Sequence, residues 1–404
     1  MTVHVFGNSP SPAIATYGLR KTAKEGESEY GEDMTDFVSK NFYVGDGLTC
    51  QPTISDAIDI VKRTQSALKS IGKLRLHKIS SNEEEVMNSF DNNDLAKELK
   101  DLDFDSGSLP IQRSLGMNWD LKSDCFTYKI DRDMKPYTRR GLLSTINSIY
   151  DPLGFFAPVT IRGKLLLRSL MIGKISWDEE LTSERYEEWE SWRTSLFNLE
   201  NLQIPRMFSP TSFSAAEKKM INVYSDASEK AIAAVCYLQL ESKNDTNDKK
   251  LGFIMGKAKV APSHGHTVPR LELCGALLAT EIAQIAAENL NIPLTDIRYY
   301  TDSRVVLGYI YNSTRRFYTY VSNRIAKIHQ VSEPNQWSYI HTERNPADLA
   351  TRSIPSEKLQ DSIWLSGPPR HMDNTRQEEE GIFLLQDPNN DNEIRPEMVN
   401  KKTL

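Results

Sequence analysis

The sequence predicts an α/β protein whose C-terminal half forms a mixed five-stranded sheet with flanking helices, preceded by an α+β region and a helical connection. The main observation is the order of patterns after residue 218: three strands, a long helix, a strand, two helices, a strand and a helix. This order implies one mixed sheet covered by helices. The second observation is length, because 404 residues suffice for two or three domains that each bury a core.

The composition is typical of a globular protein in a reducing compartment. Hydrophobic residues make up 39% and charged residues 26% of the chain, and a net charge of −6 is compatible with a local basic groove. Cys50, Cys125, Cys236 and Cys274 lack CxxC spacing, so neither a zinc site nor a disulfide framework is indicated. The chain has no run of about 20 apolar residues and no signal-peptide pattern. We expect an intracellular protein, cytoplasmic or nuclear, that is not secreted and does not enter a membrane.

The N-terminal region begins with a predicted hairpin and a helix. Residues 36–49, DFVSKNFYVGDGLT, predict two short strands joined at Gly45-Asp46-Gly47, because Gly and Asp tolerate the positive φ of a tight turn. Residues 53–72 carry apolar side chains at helical spacing, with Thr53 as the cap. The stretch 111–130 alternates like a β-hairpin.

Helices are predicted next, up to about residue 205. Residues 139–170 divide into two helical patterns around the break at Asp151-Pro152-Leu153-Gly154. A third amphipathic helix begins near Trp177, and Trp189 and Trp192 lie at helical spacing within it. Such a stripe of large apolar residues is typical of a packing face rather than of a ligand site.

The remaining elements account for the predicted sheet. Strands are predicted at 219–226, 231–240, 250–261, 297–302 and 337–342. Helices are predicted at 269–290, 303–311 and 315–331, and a last one begins in the segment 345–353. Beyond residue 360 the chain is rich in acidic residues, Gly, Pro and Asn, which predicts a mostly disordered tail.

Four acidic residues stand at the ends or beginnings of these elements. Asp226 and Asp302 end the first and fourth strands, Glu272 lies near the start of the long helix, and Asp348 begins the last helix. Strand ends on one edge of a sheet converge, so the four side chains could share one small volume. The alternative is that each acid is only a helix cap or a dipole partner.

Four carboxylates at close quarters would repel one another and would therefore require cations. Hard oxygen ligands with room for water and phosphate oxygens select Mg²⁺ or Mn²⁺. Two such ions would suit hydrolysis of a phosphodiester by in-line displacement. The sequence therefore predicts a two-metal site at Asp226, Glu272, Asp302 and Asp348.

Four motifs around these acids resemble one known family. YSDAS (224–228), VPRLELCGALLA (268–279), YYTDS (299–303) and NPADLATR (345–352) together resemble the ribonuclease H domain of BEL/Pao-type long-terminal-repeat retrotransposon polyproteins. The resemblance implies a ribonuclease H-like fold and implies that the same four acids are the catalytic metal ligands. It also implies an RNA–DNA hybrid as the partner.

The resemblance extends upstream. Residues 148–170 and the WDEEL at 177–181 look like the connecting region of the Pao retrotransposon peptidase family (A17). Residues 1–23 and FYVGDGL at 42–48 resemble the later half of a reverse transcriptase palm. It implies five segments: a truncated reverse transcriptase palm remnant (1–80), a β-rich connection (81–135), a helical Pao connecting region (136–205), a ribonuclease H-like domain (206–360) and a mostly disordered acidic tail (361–404).

The polymerase motif of the family is incomplete in this chain. The reverse transcriptases that this region resembles carry Tyr-x-Asp-Asp at the hairpin tip, whereas this sequence has Tyr43-Val44-Gly45-Asp46. Gly45 stands where the first acid belongs, and Asp46 alone cannot neutralise and position two magnesium ions. We expect polymerase activity to be lost, with other Pol-derived domains as possible partners in trans.

Secondary signals leave several interpretations open. Arg315, Arg316, Arg324 and Lys327 could line a hybrid-binding groove, or they could form the solvated face of an ordinary helix. Asp105-Ser106-Gly107 superficially matches an aspartic peptidase but lies in an acidic linker. The leading hypothesis is a metal-dependent ribonuclease H that cleaves the RNA strand of hybrids. The alternatives are a catalytically silent nucleic-acid-binding or scaffold remnant and, less favoured, an aspartic peptidase.

Overall fold

The structure, a computed structural model, comprises two compact units. It describes residues 9–96, 111–114, 116–133, 135–209, 213, 216–241, 251–262, 265–369, 378–379 and 381–396. The first unit comprises 1–128 with 203–207, and the second comprises 129–202 with 208–404. Among the helices within these ranges, none combines the length and the apolar character needed to cross a bilayer.

Within its described residues, the first unit contains four α-helices and six short strands. The helices are α1 (Ser11–Tyr30), α2 (Glu32–Asn41), α3 (Ile54–Ser70) and α4 (Glu84–Asn88). The strands are β1 (Phe42–Tyr43), β2 (Asp46–Gly47), β3 (Ile111–Ser114), β4 (Met117–Asp120), β5 (Cys125–Thr127) and β6 (Ile204–Pro205). The predicted α3 is confirmed, since the Thr53 hydroxyl accepts a hydrogen bond from the backbone N–H of Asp56 at 3.1 Å. Strands β3 to β6 form one antiparallel sheet.

The hairpin of the first unit has its turn one position earlier than the sequence predicted. Tyr43 pairs with Asp46, so Val44 and Gly45 form the turn and Asp46 belongs to β2. The prediction that Gly45-Asp46-Gly47 joins the strands is therefore wrong. The reason is that Val44, with φ +57°, takes the left-handed conformation that the prediction assigned to Gly and Asp.

The second unit carries a mixed sheet, as predicted, but the described residues form six strands rather than five, because Glu378–Glu379 adds a short strand at one edge. Its strands are β7 (Lys218–Ala227), β8 (Ala231–Glu241), β9 (Leu251–Val260), β10 (Ile297–Thr301), β11 (Trp337–Ile340) and β12 (Glu378–Glu379). Its helices are α5 (Arg139–Ser148), α6 (Ala157–Ile172), α7 (Ser183–Ser195), α8 (Val268–Leu290), α9 (Arg304–Tyr311), α10 (Thr319–His329), α11 (Asp348–Arg352) and α12 (Ile363–Ser366). The strand order is β12-β11-β10-β7-β8-β9. Strand β10 runs parallel to β7 and β11, and the other pairs are antiparallel.

An extensive apolar core lies between this sheet and the helices α8 to α10. It contains Val223 from β7, Leu273 and Ile282 from α8, Tyr299 from β10 and Trp337 from β11, all nearly fully buried. The Tyr299 and Trp337 rings stack with their centroids 4.5 Å apart. Burial on this scale fixes α8 against the sheet, and it thereby fixes the position of the acid at the start of that helix.

The helical connection packs on the same unit. The Leu153 carbonyl accepts a hydrogen bond of 2.8 Å from the backbone N–H of Gly256 in β9, and the Gly154 carbonyl accepts one of 3.1 Å from the Trp364 indole. Gly154 has φ +81°, and a Cβ there would lie 1.8 Å from the Gly256 oxygen. Thus residues 139–202 and the sheet form one compact unit, whereas the sequence placed a boundary at residue 205.

The predicted packing face of α7 is confirmed. Trp189 is 0% and Trp192 is 1% exposed. The Trp192 indole N–H donates to the Val159 carbonyl at 3.1 Å, and its ring lies against Gly163, where a Cβ would approach the ring to 2.4 Å. These contacts join α7 to α6.

The structure differs from the predicted disordered tail in the parts of 361–404 that it describes. Trp364 is fully buried, and Ile394 is 5% exposed and belongs to the core of the sheet. Phe383 and Leu385 pack against that core as well. The composition of the tail predicted disorder because its apolar residues are few, but each of these four contacts the folded domain.

Candidate metal centre

Two of the predicted acids lie at one edge of the sheet because their strands are parallel neighbours. In the register of β7 and β10, Ser225 is opposite Thr301. Asp226 and Asp302 come next in the chain, so both side chains are level with each other where the two strands end.

Glu272 reaches the same place from α8. Gly275 lies about one helical turn further along, and a Cβ at that position would be 3.0 Å from the Asp226 carbonyl oxygen. This close approach of α8 to the end of β7 brings Glu272 next to the two aspartates. A side chain at position 275 would push the helix, and with it Glu272, away from the sheet.

The structure brings three of the four predicted acids into one group. Asp226, Glu272 and Asp302 each offer a carboxylate oxygen, and these three atoms lie within 4.8 Å of one another. Asp348 is outside this group and pairs with Arg352, whose Nε lies 2.7 Å from Asp348 Oδ1. Its charge nevertheless acts on the pKa of both Asp226 and Glu272, which places it beside the group.

Two threonine hydroxyls orient the aspartates. Thr351 donates to Asp226 Oδ2, and Thr342 donates to Asp302 Oδ2 at 2.6 Å. Glu272 Oε2 and Asp302 Oδ1 are buried, and neither has a hydrogen-bond partner among the residues that the structure describes. A buried carboxylate oxygen without a partner is costly, so these two atoms are suited to contact a cation.

The electrostatics of the group favour protonation when no cation is present. Burial, together with the charges of Asp226 and Asp302, raises the pKa of Glu272 to about 9. Burial and the charge of Asp302 raise the pKa of Asp226 to about 7. Burial also raises the pKa of Asp348 above its usual range. A bound cation would reverse these shifts, because it would stabilise the charged carboxylates.

These residues could hold a metal ion. The donors are all carboxylate oxygens, the ligands that hard cations such as Mg²⁺ and Mn²⁺ prefer. A cleft of about 310 Å³ adjoins the group. Its lining includes Glu272, Asp302, Arg304, Tyr339 and Gln386. A ligand larger than the ion itself could therefore reach these carboxylates.

The four predicted nucleic-acid-binding residues lie at or just before α10 and have different environments. Arg316 and Lys327 are exposed. Arg315 Nη2 donates to Asn389 Oδ1 at 2.9 Å, and the guanidinium of Arg324 lies over the Tyr320 ring at 3.5 Å from its centroid. The aromatic core face considered as the alternative is present at Phe317, which is buried. Nucleic-acid binding by these residues stays a prediction.

The other predicted sites form no cluster of carboxylates within the described residues. Asp46 is exposed on the short strand β2, beside Gly45. Within the described part of the chain, it does not join any set of three potential metal ligands. Asp105, the basis of the peptidase alternative, lies outside the described residues.

Sequence reasoning missed the residues that support the acids. Thr351 lies within NPADLATR, three positions after Asp348. This position in the motif was the only feature of the sequence that could have indicated its role. Arg270 precedes Glu272 by two residues and forms an ion pair with Glu393, at 2.6 Å between Nε and Oε1. No local pattern could have predicted a partner so distant along the chain.

A comparison with known protein families finds a match in this region. Residues 138–303 match the family described as the Pao retrotransposon-like RNaseH-like domain. The match includes Asp226, Glu272 and Asp302 and ends before Asp348. The mixed sheet of the second unit is consistent with an RNase H-like fold. None of the curated proteins is detectably similar to this chain in sequence.

Among the solved structures that are similar to the chain are two foamy viral complexes and one RNase H1. The foamy viral protease-reverse transcriptase in complex with double-stranded DNA is 16% identical, covers 84% of this chain and 60% of its own, and has a TM-score of 0.41. A second foamy viral structure, the protease-reverse transcriptase dRH in complex with double-stranded DNA, is 15% identical. It covers 81% of this chain and 48% of its own, with a TM-score of 0.41. RNase H1 from Halobacterium salinarum NRC-1 is 13% identical, covers 37% of this chain and 93% of its own, and has a TM-score of 0.21. The chain thus spans about half to three fifths of the foamy viral chains.

Proposed function

We propose that this chain, which matches the Pao retrotransposon-like RNaseH-like domain family, is a metal-dependent ribonuclease that hydrolyses the RNA strand of RNA–DNA hybrids. The observation that carries the proposal is the group of Asp226, Glu272 and Asp302, with carboxylate oxygens within 4.8 Å of one another. The family match over 138–303 gives this group its chemical context. Recognition would depend on the shape of the hybrid and its 2′-hydroxyls rather than on sequence.

In this proposal the carboxylates hold two Mg²⁺ or Mn²⁺ ions. When bound, the ions supply an activated water and stabilise the charge that develops on the leaving oxygen. Asp226, Glu272 and Asp302 are the ligands nearest one another, and Asp348 is a fourth, more peripheral ligand. Thr351 and Thr342 keep two of the carboxylates oriented, as outer groups commonly do around metal ligands.

We also propose that the first unit includes a reverse transcriptase palm remnant without polymerase activity. The support is the hairpin Tyr43-Val44-Gly45-Asp46, in which a glycine precedes the one acid of the motif. A single carboxylate cannot neutralise and position two metal ions. A primer-extension assay with the purified chain should therefore give no product, and any template-directed extension would refute this part of the proposal.

The decisive experiment is cleavage of a labelled RNA–DNA hybrid by the purified full-length chain in Mg²⁺. We expect the wild type to shorten the RNA strand and Asp226→Asn to lose at least about two orders of magnitude in rate. Asp296→Asn is a matched control, because it makes the same change away from the carboxylate group and should leave the rate unaltered. An equal cleavage rate in wild type and Asp226→Asn would refute the site.

Absence of cleavage in both forms would favour the catalytically silent alternative. That outcome is informative only if the protein is folded and has metal available. The assay should therefore include Mn²⁺ as well as Mg²⁺ and a circular dichroism spectrum of each variant.

A further inference from the structure

Two arginines, one of them two residues before Glu272, lie on one aromatic ring. The guanidinium carbons of Arg270 and Arg324 are 4.7 and 3.5 Å from the centroid of the Tyr320 ring. Arg270 is in the first turn of α8, two residues before Glu272. Two positive charges on one ring repel each other, so the arrangement favours an anion as a further partner.

The anion that the structure provides comes from the chain's own C-terminal segment. Glu393 makes two hydrogen bonds with Arg270, of 2.6 Å from Nε and 3.0 Å from Nη2, and is only 4% exposed. Two positions earlier, Asp391 accepts a hydrogen bond of 2.7 Å from the Tyr309 hydroxyl. Two positions earlier again, Asn389 accepts from Arg315 at 2.9 Å.

The same segment reaches the cleft of the carboxylate group. Gln386 lines that cleft together with Glu272 and Asp302. Residues 386–393, QDPNNDNE, carry three acidic side chains and no basic one. Both ends of this stretch are anchored. Leu385 packs on the apolar core, and Ile394 belongs to that core and also pairs with Phe317 in an isolated antiparallel bridge.

We propose that Arg270 and Arg315 form a binding site for the phosphodiester backbone of a nucleic acid, and that residues 386–393 occupy this site in its absence. A carboxylate paired bidentately with an arginine has the charge and geometry of the phosphate that it would replace. Because the segment also enters the cleft beside Glu272, a bound hybrid must displace it. The C-terminal segment is therefore an internal competitor of the substrate, and this inference rests on the proposed function for the identity of that substrate.

The test is binding of a fluorescent RNA–DNA hybrid to the full chain without divalent cations, measured by anisotropy at several salt concentrations. Glu393→Gln keeps the shape of the side chain and removes its charge, so Arg270 becomes available. We expect its Kd to fall about fivefold or more, with a steeper salt dependence. Arg270→Gln in the Glu393→Gln background should reverse this gain.

Glu288→Gln is the matched control, because it makes the same substitution in α8, about 24 Å along the helix axis from Glu272. It should leave the Kd unchanged, which separates a local effect from one of net charge. If thermal unfolding shows that Glu393→Gln destabilises the chain, Asn389→Ala replaces it, since Asn389 is exposed and its loss removes one hydrogen bond of the Arg315 guanidinium. This variant should also bind the hybrid more tightly.

Unchanged or weaker binding in both folded variants would overturn the inference, as would an equal gain in Glu288→Gln. Because binding is measured without cleavage, the two proposals fail separately. Tighter binding without any nuclease activity would support the phosphate site and refute only the proposed reaction. Nuclease activity with unaltered binding in the variants would refute only the competitor.

Discussion

Asp226 and Glu272 offer carboxylate oxygens within 4.8 Å of each other, although one ends a strand and the other belongs to a helix packed against it. Thr351 donates a hydrogen bond to Asp226 Oδ2, whereas Glu272 Oε2 is buried without a partner among the described residues. Thr351 thus orients Asp226, whereas Glu272 keeps one buried carboxylate oxygen without such a donor. This difference leads to separate expectations for the two residues.

The Thr351 hydroxyl should matter for metal affinity more than for folding. We expect Thr351→Val to weaken Mn²⁺ binding about tenfold, because Asp226 loses the donor that orients it. Thr194→Val is a suitable control, since its hydroxyl bonds to Glu190 on the same helix, α7. Isothermal titration of both variants measures the effect, and equal affinities for the two would contradict an orienting role.

Metal binding should strengthen as the pH rises. The pKa of Glu272 is raised to about 9 and that of Asp226 to about 7, so protons compete with the cation throughout the neutral range. We expect the apparent Mn²⁺ affinity to rise at least about tenfold between about pH 6 and about pH 8, with protons released on binding. Titrations in buffers of different ionisation enthalpy count these protons. An affinity that does not depend on pH would show that the carboxylates are already ionised.

The stability of the metal-free protein should change in the opposite direction. Glu272 has a folded-state pKa above its ordinary value of 4.5, so the folded state binds more protons than the unfolded state between that value and about 9. The stabilisation is fully present below about pH 4.5 and is lost as the pH rises through the folded-state pKa. We expect Glu272→Gln to flatten this dependence and to increase the free energy of unfolding at about pH 8 by on the order of 1–3 kcal/mol. Urea unfolding at several pH values without metal provides the measurement, and an unaltered pH profile in the variant would refute the assignment to Glu272.

The contact between the helical connection and the sheet should be sensitive at Gly154. A Cβ at this position would lie 1.8 Å from the Gly256 oxygen, and the backbone has φ +81°. We expect Gly154→Ala to reduce the free energy of unfolding by about 2–4 kcal/mol, because both the space and the conformation exclude a side chain. Gly173→Ala, at the other end of α6, meets only ordinary contacts of 3.6 Å or more and should cost little. Equal thermal stability of the two variants would mean that the Gly154 junction is not closely packed in solution.

The sequence predicted the sheet because its elements are long and strongly patterned. Strand β8 is buried along almost its whole length, and α8 is a long apolar helix with Pro269 at its start, so length and periodicity identified both. The positions of Asp226 and Asp302 followed from the strands that they end. These features depend on local patterns, which can be recognised in a single sequence.

The remaining features either break a local rule or depend on partners that are distant in the chain. Val44 takes the positive φ of the hairpin, although a β-branched residue is a poor candidate for it. Ile394 and Glu393 lie in a segment whose composition predicts disorder, and their order comes from the core and from Arg270. Asp348 lies in the motif NPADLATR, yet it stands outside the closest group and forms an ion pair with Arg352.

The most direct test of the central claim is the location of Mn²⁺ by anomalous scattering in crystals of the full chain. The carboxylates of Asp226, Glu272 and Asp302 are expected to surround at least one anomalous peak, and this peak should be absent from Glu272→Gln crystals grown in the same way. No peak among these three residues in wild-type crystals at millimolar Mn²⁺, or a peak of equal height in the variant, would contradict the account.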